Sequence, residues 1–185
     1  AILSPADGTE VQLRPPDAEP ISEDRGFVRC AFSPDGTRVL TCSEDTTGRI
    51  WGIDGQLQAV FLSHRAGLSW GDWHPDGASV ATMDEHGSGW IWDVSGKAMG
   101  SFKMDESGNW GCAWNRAGSR LMVYNFNGGR VYIFDRDGQR LAALDVDDEA
   151  IHIPRWHPDG VTVYGLSGGM LRRWSSIETP LAALS

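Results

Sequence analysis

Cysteine is scarce. Cys30, Cys42 and Cys112 form no CxxC pair and no even framework, so neither a disulfide scaffold nor a thiolate metal motif is written into the chain. Basic charge is scarce as well: 16 lysines and arginines face 25 aspartates and glutamates, and a formal net charge of -9 disfavours nonspecific binding to nucleic acid or to an anionic membrane. No apolar run approaches the ~20 residues of a membrane helix. HExxH, GxSxG, a phosphate-cradling GxGxxG between strand and helix, and a Cys-His dyad are all missing, which removes the usual motifs of hydrolases and nucleotide enzymes. No cofactor and no metal are expected. No signal-peptide pattern follows Ala1, and the expected location is the cytoplasm. Arginine outnumbers lysine 14 to 2, a composition that points to a GC-rich, bacterial-type genome.

What the chain does have is a repeat. The turn Ser33-Pro34-Asp35-Gly36 returns as His74-Pro75-Asp76-Gly77, Asn115-Arg116-Ala117-Gly118 and His157-Pro158-Asp159-Gly160, at steps of 41, 41 and 42 residues. The aromatic Trp51 returns as Trp92, Phe134 and Trp174, at steps of 41, 42 and 40. Two independent landmarks with one period establish an internal repeat. Within a copy, residues 27–33, 39–43, 49–53 and 57–62 read as strands separated by turns. Proline sets φ at the first turn position and glycine accepts the positive φ at its end. Turn residues every 8 to 12 positions exclude a helical reading, and four antiparallel strands per copy predict an all-β propeller of four-stranded blades.

The Ser-Pro-Asp-Gly turn, the Gly48-Arg49-Ile50-Trp51 strand and the Trp92-Asp93 dipeptide resemble the WD-repeat family, over residues 26 to 178. That resemblance implies a rigid platform for protein binding, usually without catalysis. The expected blades are 26–62, 63–103, 104–144 and 145–185. Residues 1–25, with Asp7-Gly8 as a hairpin turn, supply strands two to four of a further, partial blade. The favoured reading makes the chain one segment of a larger propeller, whose other blades come from the same polypeptide or a partner. A self-closed small ring and a ring of two copies are the alternatives.

Phe32, Trp73, Trp114 and Trp156 share one register on the innermost strand and are expected as wedges between blades. The resemblance also implies a buried network of His, Ser or Thr, Asp and Trp. Transferred by position, the first copy offers Ser43, Asp45 and Trp51, with Glu23 at the His position. The second offers His64, Thr82 and Trp92, with His86 where Asp is expected. Asp105 and Asp147 take the His position, and Gly128 and Gly168 the Asp position, in the last two. Cys30 and Cys112, at one register, are expected in the core, and a Cys30 to Cys42 disulfide stays open.

Side chains alternate along a strand. If the wedges face the blade interface, then Arg29, Trp70, Asp72 and Arg155 face the central channel, where small residues are usual. They are the candidates for a polar, partly aromatic binding mouth, the alternative being that they pair with one another. The joints before each first strand add Glu23, Asp24, Asp105, Glu106, Asp147, Asp148 and Glu149, so three of four joints are acidic, and only the joint at 63–67 is not. The expected partner is a protein, a basic peptide or domain docking on that acidic rim; a merely solvated rim is the bland alternative. Spacing in 145–149 does not suit a calcium loop. The expected function is a non-catalytic scaffold. A ligand-sensing propeller of a larger signalling or defence ATPase is the second reading, and a propeller hydrolase or lyase a remote third.

Overall fold

A computed structural model describes residues 2–3, 10–11, 26–127, 130–145 and 151–175. Short β1 (Ile2–Leu3) and β2 (Glu10–Val11) pair antiparallel. Two four-stranded antiparallel sheets follow in simple up-and-down order. The first holds β3 (Phe27–Phe32), β4 (Arg38–Ser43), β5 (Gly48–Gly52) and β6 (Leu57–Phe61). The second holds β7 (Leu68–Trp73), β8 (Ser79–Asp84), β9 (Ser88–Asp93) and β10 (Ala98–Lys103). A third sheet has β11 (Trp110–Trp114), β12 (Leu121–Asn125), β13 (Arg130–Phe134) and β14 (Arg140–Asp145). The last shows β15 (His152–Trp156), β16 (Thr162–Ser167) and β17 (Met170–Ser175). The expected all-β architecture of antiparallel blades is therefore observed, with no helix among the described residues.

The repeated turn has one geometry in all four sheets. Gly36, Gly77, Gly118 and Gly160 sit at φ of 71°, 69°, 69° and 73°, and each amide donates to the carbonyl of Ser33, His74, Asn115 or His157. The third copy lacks both Pro and Asp, yet the glycine alone preserves the turn, because only the left-handed position is sterically demanding.

Blades meet along their innermost strands. Trp73 is buried and its indole Nε1 donates to the Ala31 carbonyl of the preceding blade at 2.9 Å; Trp156 does the same to Ala113 at 2.9 Å. Apolar side chains of consecutive sheets then fill the space between them. Leu40, Ile50 and Phe61 of one blade meet Trp73, Val80 and Trp92 of the next in one cluster. Phe61 stacks on Trp92 at 5.0 Å.

Two expectations require correction here. Phe32 is 60% exposed, against 5% for Trp73 and 7% for Trp114 at the same register. Cys30 is exposed, whereas Cys42 and Cys112 are buried, and all three are free thiols. The physical reason is shared: this face of β3 is the one that the preceding blade covers in later copies, and no sheet among the described residues covers Phe32 and Cys30 in that way. Burial pushes the Cys42 thiol up to about 12, which leaves it an unreactive core side chain.

The polar network also differs from its sequence placement. In the second blade His64 Nδ1 lies 3.0 Å from Asp84 Oδ2 and Nε2 lies 2.8 Å from Thr82 Oγ1, which accepts a 2.8 Å bond from Trp92 Nε1. The acid is thus Asp84, not His86. In the first blade Trp51 Nε1 donates to Thr41 Oγ1 at 2.8 Å, so the hydroxyl is Thr41, not Ser43, while Asp45 caps its turn through Thr47 and pairs with Arg49. Asn125 and Ser167, not Gly128 and Gly168, end the strands where Asp84 ends β8. The misplacement is two residues for Thr41 and for Asp84, and a shift of two returns a strand residue to the same face, so alternation cannot reveal it there.

Burial pushes the Asp84 carboxyl up, but the bonds from His64 and the Ser88 amide outweigh it and hold the pKa below the ordinary value. Thr41 satisfies one buried group and Thr82 two. Thr41→Val is expected to cost about 1–3 kcal/mol in urea unfolding. Thr82→Val should cost distinctly more, and equal losses would show that His64 draws no support from Thr82.

Candidate functional site

Both sets of innermost-strand side chains face neighbouring blades, one backwards and one forwards. Trp73 faces back, and a Cβ on Gly71 would come within 2.6 Å of Cys42 Sγ in the preceding blade. Arg29, Trp70 and Asp72 face forward, whereas Arg155 meets Tyr124 of the preceding blade, so the candidates Arg29, Trp70, Asp72 and Arg155 reach across blade joints instead of standing free in a channel.

Together they form part of a row. The Arg29 guanidinium lies 3.9 Å over the Trp70 ring. Trp70 packs at 5.4 Å against Phe126, which meets Tyr124 edge-on at 5.1 Å. Burial raises the Tyr124 phenol, and the nearby Arg155 charge and its hydrogen bond oppose that rise. An arginine therefore closes each end of an aromatic run on the second and third blades, and the row with its arginines touches four blades. Gly111 makes the run possible: a Cβ there would lie 2.6 Å from the Tyr124 ring. Tyr124 and Phe126 were not among the sequence candidates. Their only sequence signal was the glycine at the Trp70 register, which leaves room for a neighbour's ring.

Asp72 is the acid of the row. Burial pushes it up to about 6, while the Trp114 amide, donating at 2.9 Å, and the Arg29 charge pull it down. Beside the row opens a hollow of about 540 Å³ between the second and third blades, with Trp70 and Phe126 as aromatic walls and Glu85 at its lip.

The joints lie over the hairpins of the same blade end. The Glu44 amide donates to the Gly26 carbonyl, Glu85 to Gly67, and Gly108 to the Glu85 carbonyl. Glu44, Glu85, Asp105 and Glu106 are thus exposed on one rim, with Arg130 3.5 Å from Glu106. Glu23, Asp24, Asp147, Asp148 and Glu149 lie outside the described residues. Among those described, no group of three or more His, Cys, Asp or Glu side chains is arranged to hold a metal. His74 is buried, with Nε2 2.8 Å from the Gly118 carbonyl and its ring edge-on to Trp114 at 4.8 Å, a structural position.

Asp72 yields a test. Its folded pKa stands above the ordinary carboxyl value, so between about pH 4 and 6 the folded chain binds more protons at this residue than the unfolded chain does. The stability it contributes is full below that window and lost as pH rises through 6. Asp72→Asn should therefore gain stability relative to the parent at pH 7.5 and lose that advantage progressively as pH falls through 6 toward 4, measured by urea unfolding; a pH-independent difference would contradict the placement.

Against known proteins, residues 21–52 match the family model for the WD domain, G-beta repeat. No curated protein matches the chain. Among solved structures, the crystal structure of the C-terminal WD40 domain of Sif2 is similar at 22% identity with a TM-score of 0.73, covering 91% of this chain and 48% of that one. The chain thus spans about half the length of the structure it matches. Residues 21–52 are thus similar to a WD domain, G-beta repeat, and the chain has the β-propeller fold of a WD40 domain.

Proposed function

We propose that this chain is a non-catalytic platform that binds a basic protein segment at its acidic rim and the aromatic mouth beside it. WD40 domains are in general protein-interaction scaffolds. The observation that carries the finer reading is the hollow walled by Trp70 and Phe126 with Glu85 at its lip, on the rim that also exposes Glu44, Asp105 and Glu106. An arginine or lysine side chain entering there meets ring faces, which attract cations, and carboxylates that fix its charge. Glu23, Asp24, Asp147, Asp148 and Glu149, outside the described residues, add to the chain's negative charge, which steers a basic partner and raises its on-rate. Arg29 over the Trp70 ring and Arg155 beside Tyr124 flank the rings at either end.

Fluorescence anisotropy with a labelled oligoarginine peptide tests this. Asp105→Lys with Glu106→Lys should weaken binding about tenfold at low salt, and Trp70→Ala should weaken it further. Unchanged affinity in both variants would reject the site.

The platform reading includes completion of the propeller by further blades. Phe32 and Val28 on the first full blade, and Leu166, Met170 and Leu171 on the fourth, are exposed apolar side chains. Open sheet faces of this kind associate. Native mass spectrometry of the intact protein should give a mass above the 20.2 kDa of this chain, from a longer polypeptide, a second copy or another subunit. A stable particle at 20.2 kDa would overturn it.

A further inference from the structure

The rim carries one exception to its acidity, at the joint of residues 63–67, and a groove of about 880 Å³ opens there between the first and second blades. Its lining differs in kind from the rest of the rim. Leu62, 74% exposed, lies on one side, and the half-buried Trp90 forms a wall. Trp90 is held by stacking on Trp92 at 5.3 Å, so its indole is a fixed apolar surface. Two cations flank these side chains. Arg65 is exposed and has no ion pair or hydrogen bond among the described residues. Lys103 donates to the His86 carbonyl at 2.5 Å and to Ser88 Oγ at 3.0 Å, which fixes its ammonium at the groove and leaves a third N–H unused.

No acidic side chain lines the groove. The nearest, Asp84, is buried beneath it and already accepts from His64 and from the His86 and Ser88 amides. Its charge is therefore spent inside the fold. What faces outward is two cations, the hydroxyls of Ser63 and Ser101, and an apolar wall.

We infer that this groove is a second docking site, for an acidic segment of a protein partner that carries an apolar side chain between its carboxylates. Arg65 offers a planar fork for a carboxylate and Lys103 a point charge. Leu62 and Trp90 hold the apolar side chain. The acidic remainder of the rim repels such a segment, so the charge pattern confines it to this one joint, and repulsion elsewhere supplies specificity. The site is independent of the basic-segment site near Trp70.

The test is fluorescence anisotropy on the full chain with a fluorescein-labelled heptapeptide of glutamates interrupted by one leucine and one phenylalanine. Two control peptides carry lysine for each glutamate, or alanine for both apolar residues. The acidic apolar peptide should bind and both controls should bind at least tenfold more weakly. Arg65→Glu and Leu62→Asp, both at exposed positions that the fold does not use, should each reduce affinity about tenfold, while Arg65→Lys retains most of it. Asp105→Lys with Glu106→Lys should leave this peptide bound. Equal or tighter binding of the lysine peptide, parent-like affinity in both Arg65→Glu and Leu62→Asp, or no binding of the acidic apolar peptide up to ~1 mM, would each overturn the inference.

Discussion

The blades are held in register by a bond between two groups that would otherwise lack partners. An innermost strand is the edge of its sheet, so half of its carbonyls have no ladder to join. A buried tryptophan has one donor and needs an acceptor. Trp73 and Trp156 solve both problems at once by donating to Ala31 and Ala113 of the preceding blade. The joint between them differs. There the preceding strand has Asp72 in place of alanine, its carboxylate takes the Trp114 backbone amide, and Trp114 Nε1 is left buried without a partner. The only acid of the aromatic row thus stands where the indole bond is missing.

At the opposite blade end a second clasp uses three different side chains for one contact. Arg38 donates to the Gly77 carbonyl at 2.8 Å, Asn115 Nδ2 to Gly160 at 2.8 Å, and His74 Nε2 lies 2.8 Å from Gly118. Each ties a turn to the turn of the next blade. Interior polarity is less uniform. Among the described residues four partners join in the second blade, Thr41 and Trp51 alone in the first, and in the third Phe134 stacks on Phe102 at 4.3 Å with no hydroxyl beneath it. An apolar stack can replace the network because removing both members of a hydrogen bond leaves nothing buried and unpaired.

This division leaves the rim free to carry charge. The joints rest on hairpin backbones through main-chain bonds, and His64 anchors the joint at 63–67 through Asp84 and Thr82, so the exposed joint side chains are not needed to hold them. Acidic and cationic joints are therefore equally compatible with the fold, and partner choice and blade packing are separable properties of the chain.

The repeat, its four-stranded blades and the all-β class were legible in the residues, because turn chemistry and a period of about 41 residues depend only on local sequence. Strand ends came within a residue or two for the same reason. The inter-blade role of Trp73 and Trp156 was also legible, since large aromatics at one register must be buried somewhere. The network acid was not, because Asp84 and His86 lie on one face of an alternating chain and only the length of β8 distinguishes them. Nor was the exposure of Phe32 and Cys30, which depends on what lies beside a sheet. Sequence order likewise places Arg29, Trp70, the pair Tyr124 and Phe126, and Arg155 in four different repeats. Their adjacency exists only once blades stack side by side, as does the groove that gathers Leu62, Arg65, Trp90 and Lys103 at the one joint without an acid.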